Sequence, residues 1–158
     1  MSSAVVFLDL DGVLNDAALR AAHRVPTQPP IDPKRVAILD SILDATGAGI
    51  VFVTGWRLLL PTASLERALR VAGLRGRVID SVGDAPLVSD TRAVATVAWL
   101  DAHREVDNYV ILDDVPAPWI GRTAFRAALV APQDGLDRKD ASQAIALIKR
   151  PRKSPWTR

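Results

Sequence analysis

Three short clusters carry most of the side chains in this sequence that could act on a ligand: Asp9-Leu10-Asp11-Gly12, Thr54-Gly55-Trp56-Arg57 and Asp113-Asp114. Each directly follows an apolar run. Two aspartates one residue apart at a strand end place one carboxylate at the tip and the next just beyond it in the loop, so both can face one ligand. Adding Asp113 and Asp114 makes a carboxylate cluster whose repulsion is costly unless a hard divalent cation sits among the charges. Mg2+ suits such oxygen ligands, with waters completing its shell. Gly12 permits a positive φ or close backbone approach, so amides near it can point at a phosphate; Thr54 adds a hydroxyl donor. The chain has no cysteine, so any metal must sit on oxygen or imidazole. His23 and His103 have no carboxylate at ligand spacing and read as surface or packing residues.

The elements that must position these clusters are legible from periodicity. Ala4 to Leu8, Ile50 to Val53, Val78 and Ile79, Tyr109 to Leu112, and Ala127 to Val130 are continuous apolar runs, as expected for parallel strands covered on both faces. Between them lie helical patterns. Asp32 caps one with Pro33 at its first position, Val36, Leu39 and Leu43 as its stripe and Gly47 at its end. A second runs from about Ala63 to Ala72. A third, capped by Ser89 or Asp90, turns Val94, Val97 and Leu100 or Trp99 inward, and a fourth starts at Asp137 and presents Ala141, Ala144, Ile145 and Ile148. The alternation predicts an α/β fold with a three-layer, Rossmann-like arrangement, a central parallel sheet between helices. In such sheets ligands collect at the carboxyl ends of the strands, where all three clusters fall. His23, three prolines and several polar residues interrupt any period between Asn15 and Ile31, which reads as an irregular excursion or small flap.

In order along the chain, Asp9 to Leu14 resembles motif I of the haloacid dehalogenase superfamily, Val51 to Thr54 its motif II and Tyr109 to Asp114 its motif IV. Asp9 to Asn15, the Thr54 to Arg57 turn, the paired aspartates and Asp134-Gly135-Leu136 together resemble the small capless members found as domains of multi-part RNA-repair proteins. The resemblance implies a Mg2+-dependent phosphatase in which Asp9 attacks phosphorus and Asp11 serves as acid and then base. It implies Mg2+ held by the Asp9 carboxylate, the Asp11 carbonyl and Asp113, the preferred ligand of its pair, with Asp114 nearby. Thr54 would contact the phosphoryl group, with Gly12, Gly55 and Arg57 on the substrate side. The family's usual lysine is missing; Arg92, at the start of the helix before motif IV, would take its place, although a solvated helix face explains an arginine there almost as well. Crowding among the aspartates leads to the expectation that Asp113→Ala relieves strain in the metal-free protein.

At 158 residues, 49% of them hydrophobic, residues 1–150 are expected to form one domain. The formal charge of +2 is uneven: Lys149, Arg150, Arg152, Lys153 and Arg158 lie in the last ten positions, which hold no acid, leaving 15 basic against 18 acidic residues elsewhere. Residues 151–158 read as a basic, poorly ordered tail, with a nucleic-acid contact as the sharper alternative. Apolar runs too short to span a bilayer predict a cytoplasmic protein without a membrane partner. Some forty residues between motifs I and II leave no room for a cap domain. An open site suits a phosphorylated nucleic-acid or nucleotide end; a small-metabolite phosphatase and a catalytically weak binding or regulatory module are the alternatives.

Overall fold

The computed structural model describes residues 3–83, 91–116, 119, 123, 126–131 and 133–150. Five strands, β1 (Ser3–Leu8), β2 (Gly49–Phe52), β3 (Val78–Ser81), β4 (Val106–Asp113) and β5 (Ala127–Leu129), form one sheet in the order β3-β2-β1-β4-β5. Every pairing is parallel. The helices are α1 (Ala17–Ala22), α2 (Pro33–Thr46), α3 (Thr62–Val71), α4 (Thr91–Ala102) and α5 (Arg138–Lys149). The α/β architecture is thus the one expected, and every apolar run named above contains a strand. No helix among the described residues is long and apolar enough to cross a membrane.

Strand alternation divides the core. Val6, Leu8, Ile50, Phe52, Val110 and Leu112 point to one face, where Val36, Leu39 and Ile42 of α2, Leu65 and Leu69 of α3, and Ala144 and Ile148 of α5 cover them. Val5, Phe7, Val51 and Ile111 point to the other, where α4 lays Ala93, Ala95 and Trp99. The Trp99 ring meets Phe7 edge-on at 5.5 Å between centroids.

Here one expectation fails. Val94 is 66% exposed, because the inward face of α4 is set by Ala93, Thr96 and Trp99. Alanines let the helix approach closely enough for the indole to reach Phe7, so side-chain size misidentifies the stripe. In α5, Leu147 is buried beside Ile148, and Ile145 lies at the margin of the core. The proposed Ser89 or Asp90 cap and the 151–158 tail lie outside the described residues.

The buried carboxylate of Asp40 ties α2 to the turn after α3, accepting hydrogen bonds from Arg75 N at 3.0 Å and Gly76 N at 2.9 Å. Asp40→Ala strands both amides. It should cost about 2 kcal/mol, the usual scale for hydrogen bonds to a charged group, measurable as a lower urea midpoint with an unchanged slope.

Candidate active site

The chain leaves β1 toward β2 on one side and reaches β4 on the other, so the sheet order reverses between β1 and β4. That is where open α/β sheets form a crevice. Asp9 follows β1 directly, held by its amide to Leu112 O at 2.9 Å, and Asp113 ends β4 beside it. The ladder therefore sets the spacing of these two carboxylates. Oxygens of Asp9, Asp113 and Asp114 all lie within 4.8 Å of one another.

Next to them opens a cleft of about 350 Å3 lined by Asp9, Asp11, Thr54, Gly55, Trp56, Leu59, Arg92, Asp114 and Val115. Most of the expected residues meet here. Larger hollows lie elsewhere, one of about 510 Å3 between Pro29 and α3, but they lack the acidic cluster. Thr54 is buried and caps the 3-10 turn Gly55–Leu58, its Oγ1 accepting from Trp56 N at 3.3 Å.

Arg57 is not in the cleft. It is 8% exposed and turned inward, its guanidinium donating to the carbonyls of Val53 at 3.0 Å and Thr54 at 2.9 Å. The tight turn rotates it away from Thr54, and it lines the neighbouring hollow with Thr62 and Ser81. The expectation of a phosphate contact from Arg57 is corrected accordingly. Gly55, in contrast, lines the cleft and is exposed.

Gly12 does take a positive φ, 78°. A Cβ there would collide with the Asp114 carboxylate, so glycine is required to let the first loop pack against the paired aspartates. Its amide does not point at a ligand: it donates to Asn15 Oδ1 at 2.8 Å.

That bond reveals a residue to which the sequence reading gave no role. Asn15 is fully buried. Its Oδ1 also accepts from Arg20 at 2.8 Å, and its Nδ2 donates to Asp11 Oδ1 at 3.1 Å and to Pro30 O at 2.9 Å. The excursion between Asn15 and Ile31 is accordingly more regular than expected. Asp16 caps α1, which carries Arg20, and the segment braces the first loop from behind. Leu136 N adds a further brace, donating to Val13 O at 2.8 Å. The available signal for Asn15 was an asparagine three positions after Gly12, a side chain able to accept from a nearby loop amide.

Charge in the site is unbalanced. Burial pushes the Asp9 carboxyl well above its ordinary value, Asp113 and Asp114 push it further, and Arg92 pulls it back. Asp114 is also raised, first by burial and then by its contact with Asp113. Arg92, on α4, places one guanidinium nitrogen 2.9 Å from Asp113 Oδ2 and 3.5 Å from Asp9 Oδ2. Burial works against its charge, but these carboxylates hold its pKa above the ordinary value.

An all-oxygen donor set carrying excess negative charge fits a hard divalent cation. Within it, the two paired aspartates are not equivalent. Asp113 is 0% exposed, and its oxygens already accept from Arg92, from Trp119 Nε1 at 3.0 Å and from Val115 N at 3.1 Å. Asp114 instead faces the cleft. Of the pair, Asp114 is the one that reaches the cleft, whereas the sequence pattern pointed to Asp113.

A family model described as the HAD domain in Swiss Army Knife RNA repair proteins matches residues 5–141. No curated protein and no solved structure matches the chain.

Proposed function

Because the chain belongs to this family of HAD domains, within the haloacid dehalogenase superfamily, we propose that it is a phosphomonoester hydrolase that works through an aspartyl-phosphate. The observation that carries the reading is the convergence of Asp9, Asp11, Thr54, Arg92 and Asp114 on one cleft at the point where the sheet order reverses. A buried carboxylate beside a second, differently held carboxylate suits a nucleophile paired with a proton-transfer group.

In this mechanism an oxygen of Asp9 attacks phosphorus, the ester P–O bond breaks, and Asp11 delivers a proton to the departing oxygen. Asp11, now a carboxylate, takes a proton from a water whose oxygen attacks the aspartyl-phosphate. The P–O bond to Asp9 then breaks, releasing inorganic phosphate. Thr54 and Arg92 line the cleft and would donate to the phosphoryl oxygens. Mg2+, when bound by the carboxylates of Asp9 and Asp114 with the Asp11 carbonyl and Asp113 beside it, would neutralise charge on the transferring group.

Two features support a phosphorylated nucleic-acid end as the substrate class. The matching family takes its name from RNA repair, and the cleft lining includes Trp56 and Leu59, the latter 74% exposed, apolar surface on which a base could rest. Small metabolites are the alternative substrates. The test is Mg2+-dependent phosphate release from 3′- and 5′-phosphorylated oligonucleotides, nucleotides and sugar phosphates. A preference of at least tenfold in kcat/KM for one oligonucleotide end is expected, whereas equal or better turnover of sugar phosphates would overturn the substrate class. A catalytically weak binding module is favoured by one observation, the engagement of Arg92 with Asp113. Tight binding of the same oligonucleotides without phosphate release would establish it.

A further inference from the structure

The side chain that holds the proposed acid–base group comes from a different loop. Trp56 Nε1 donates to Asp11 Oδ2 at 3.0 Å, while Asn15 Nδ2 donates to Asp11 Oδ1 at 3.1 Å. Among the described residues each carboxyl oxygen thus has one donor, and each keeps further lone-pair capacity for a proton in transit. Two donors on opposite oxygens fix the plane of the carboxyl group, which is otherwise free to turn about its last torsion. The Trp56 ring is half-buried against the core and lines the cleft. Its backbone amide is fixed by Thr54 Oγ1, so the indole is itself anchored.

We propose that Trp56 is a positioning residue for proton transfer: its indole N–H aims the Asp11 carboxyl at the leaving-group oxygen. This rests on the reading of Asp11 as the proton-transfer group. Aromatic packing alone would explain a tryptophan at this place, but packing does not require the indole nitrogen to meet a carboxylate in the cleft. The geometry also gives the tryptophan a chemical reason that phenylalanine would not satisfy, since the contact needs a donor and the indole N–H supplies one.

The test compares two substrates that differ in their demand for a proton. An activated aryl phosphate such as a nitrophenyl ester expels a stable anion, whereas an alkyl phosphate needs its leaving oxygen protonated as the bond breaks. Trp56→Phe keeps the ring and removes the donor. It should lower kcat/KM for the alkyl ester about tenfold or more, part of the 10²–10⁴ that a placed acid contributes, and for the aryl ester less than about threefold. The ratio of the two values is independent of the fraction of folded enzyme, so a poorly folding variant still reports.

Asp11→Asn separates the possible failures. If it shows the leaving-group-dependent loss and Trp56→Phe lowers both esters equally, the positioning role is overturned while the acid–base reading stands. If Asp11→Asn itself lowers both equally, the acid–base reading falls and the inference with it.

Discussion

Asp9→Asn is expected to reduce phosphate release to below about one per cent of the wild-type rate and, in the absence of metal, to raise the melting temperature at neutral pH. The first effect follows from removing the attacking oxygen. The second follows from the site's electrostatics. The folded protein holds the Asp9 carboxyl well above its ordinary value of 3.8, first by burial and then through Asp113 and Asp114. Between the two values the native state keeps a proton that the unfolded chain has released, so stability falls as pH rises through that window. Asparagine carries no such cost. The melting curves of variant and wild type should converge in acid and separate toward neutrality. Mg2+ should narrow the gap by stabilising the wild type alone. Activity above a few per cent would remove Asp9 as the nucleophile, and a variant that melts lower at neutral pH would remove the crowding account.

Asp113→Ala should act in the opposite direction on stability. Relief of crowding was the sequence-based expectation, but Asp113 is the acceptor for Arg92, the Trp119 indole and the Val115 amide. Breaking a buried charged pair from one side costs about 3 kcal/mol, at the low end of the usual range here because Arg92 is partly exposed and can reach water. That exceeds what one removed repulsion returns. Thermal or urea unfolding without metal decides between the two: a variant as stable as wild type would show the crowding term to be the larger. Asp114→Asn provides the contrast, with a weakened response to Mg2+ titration and a smaller change in stability.

The sheet and the carboxylates at its strand ends were readable because both depend on local pattern. Asp9 and Asp113 end continuous apolar runs, and such runs are strands wherever a parallel sheet forms. Roles that depend on which loop meets which were not readable. Trp56 and Asp11 are far apart in sequence and meet only through the packing of two strand-end turns. Asn15 looked like one more polar residue in an irregular stretch until α1 and Pro30 closed around it. Arg57 shows the converse error: adjacency to Thr54 in sequence suggested a shared target, yet the 3-10 turn sends the two side chains to different hollows. Val94 was misplaced because a helix packed through alanines hides its contact face from any reading weighted by apolar bulk.

The pairing of β1 with β4 has a consequence for the order in which the site comes into being. Asp11 shares one loop with Asn15, and the bonds of Asn15 to the Gly12 amide and the Asp11 carboxylate form within a few residues of chain. Asp114 joins Asp9 only when the β1–β4 ladder closes a loop of roughly a hundred residues, at an entropic cost of about 4 kcal/mol. Contacts of such long range form late and slow the folding of the domains that depend on them. An opening fluctuation that unzips those two strands would therefore dismantle the acidic cluster and release the Asp9 amide from Leu112, while leaving the local bonds of Asn15 to Gly12 and Asp11 in place. A bound cation, bridging both sides of that seam, would act as a clasp against it.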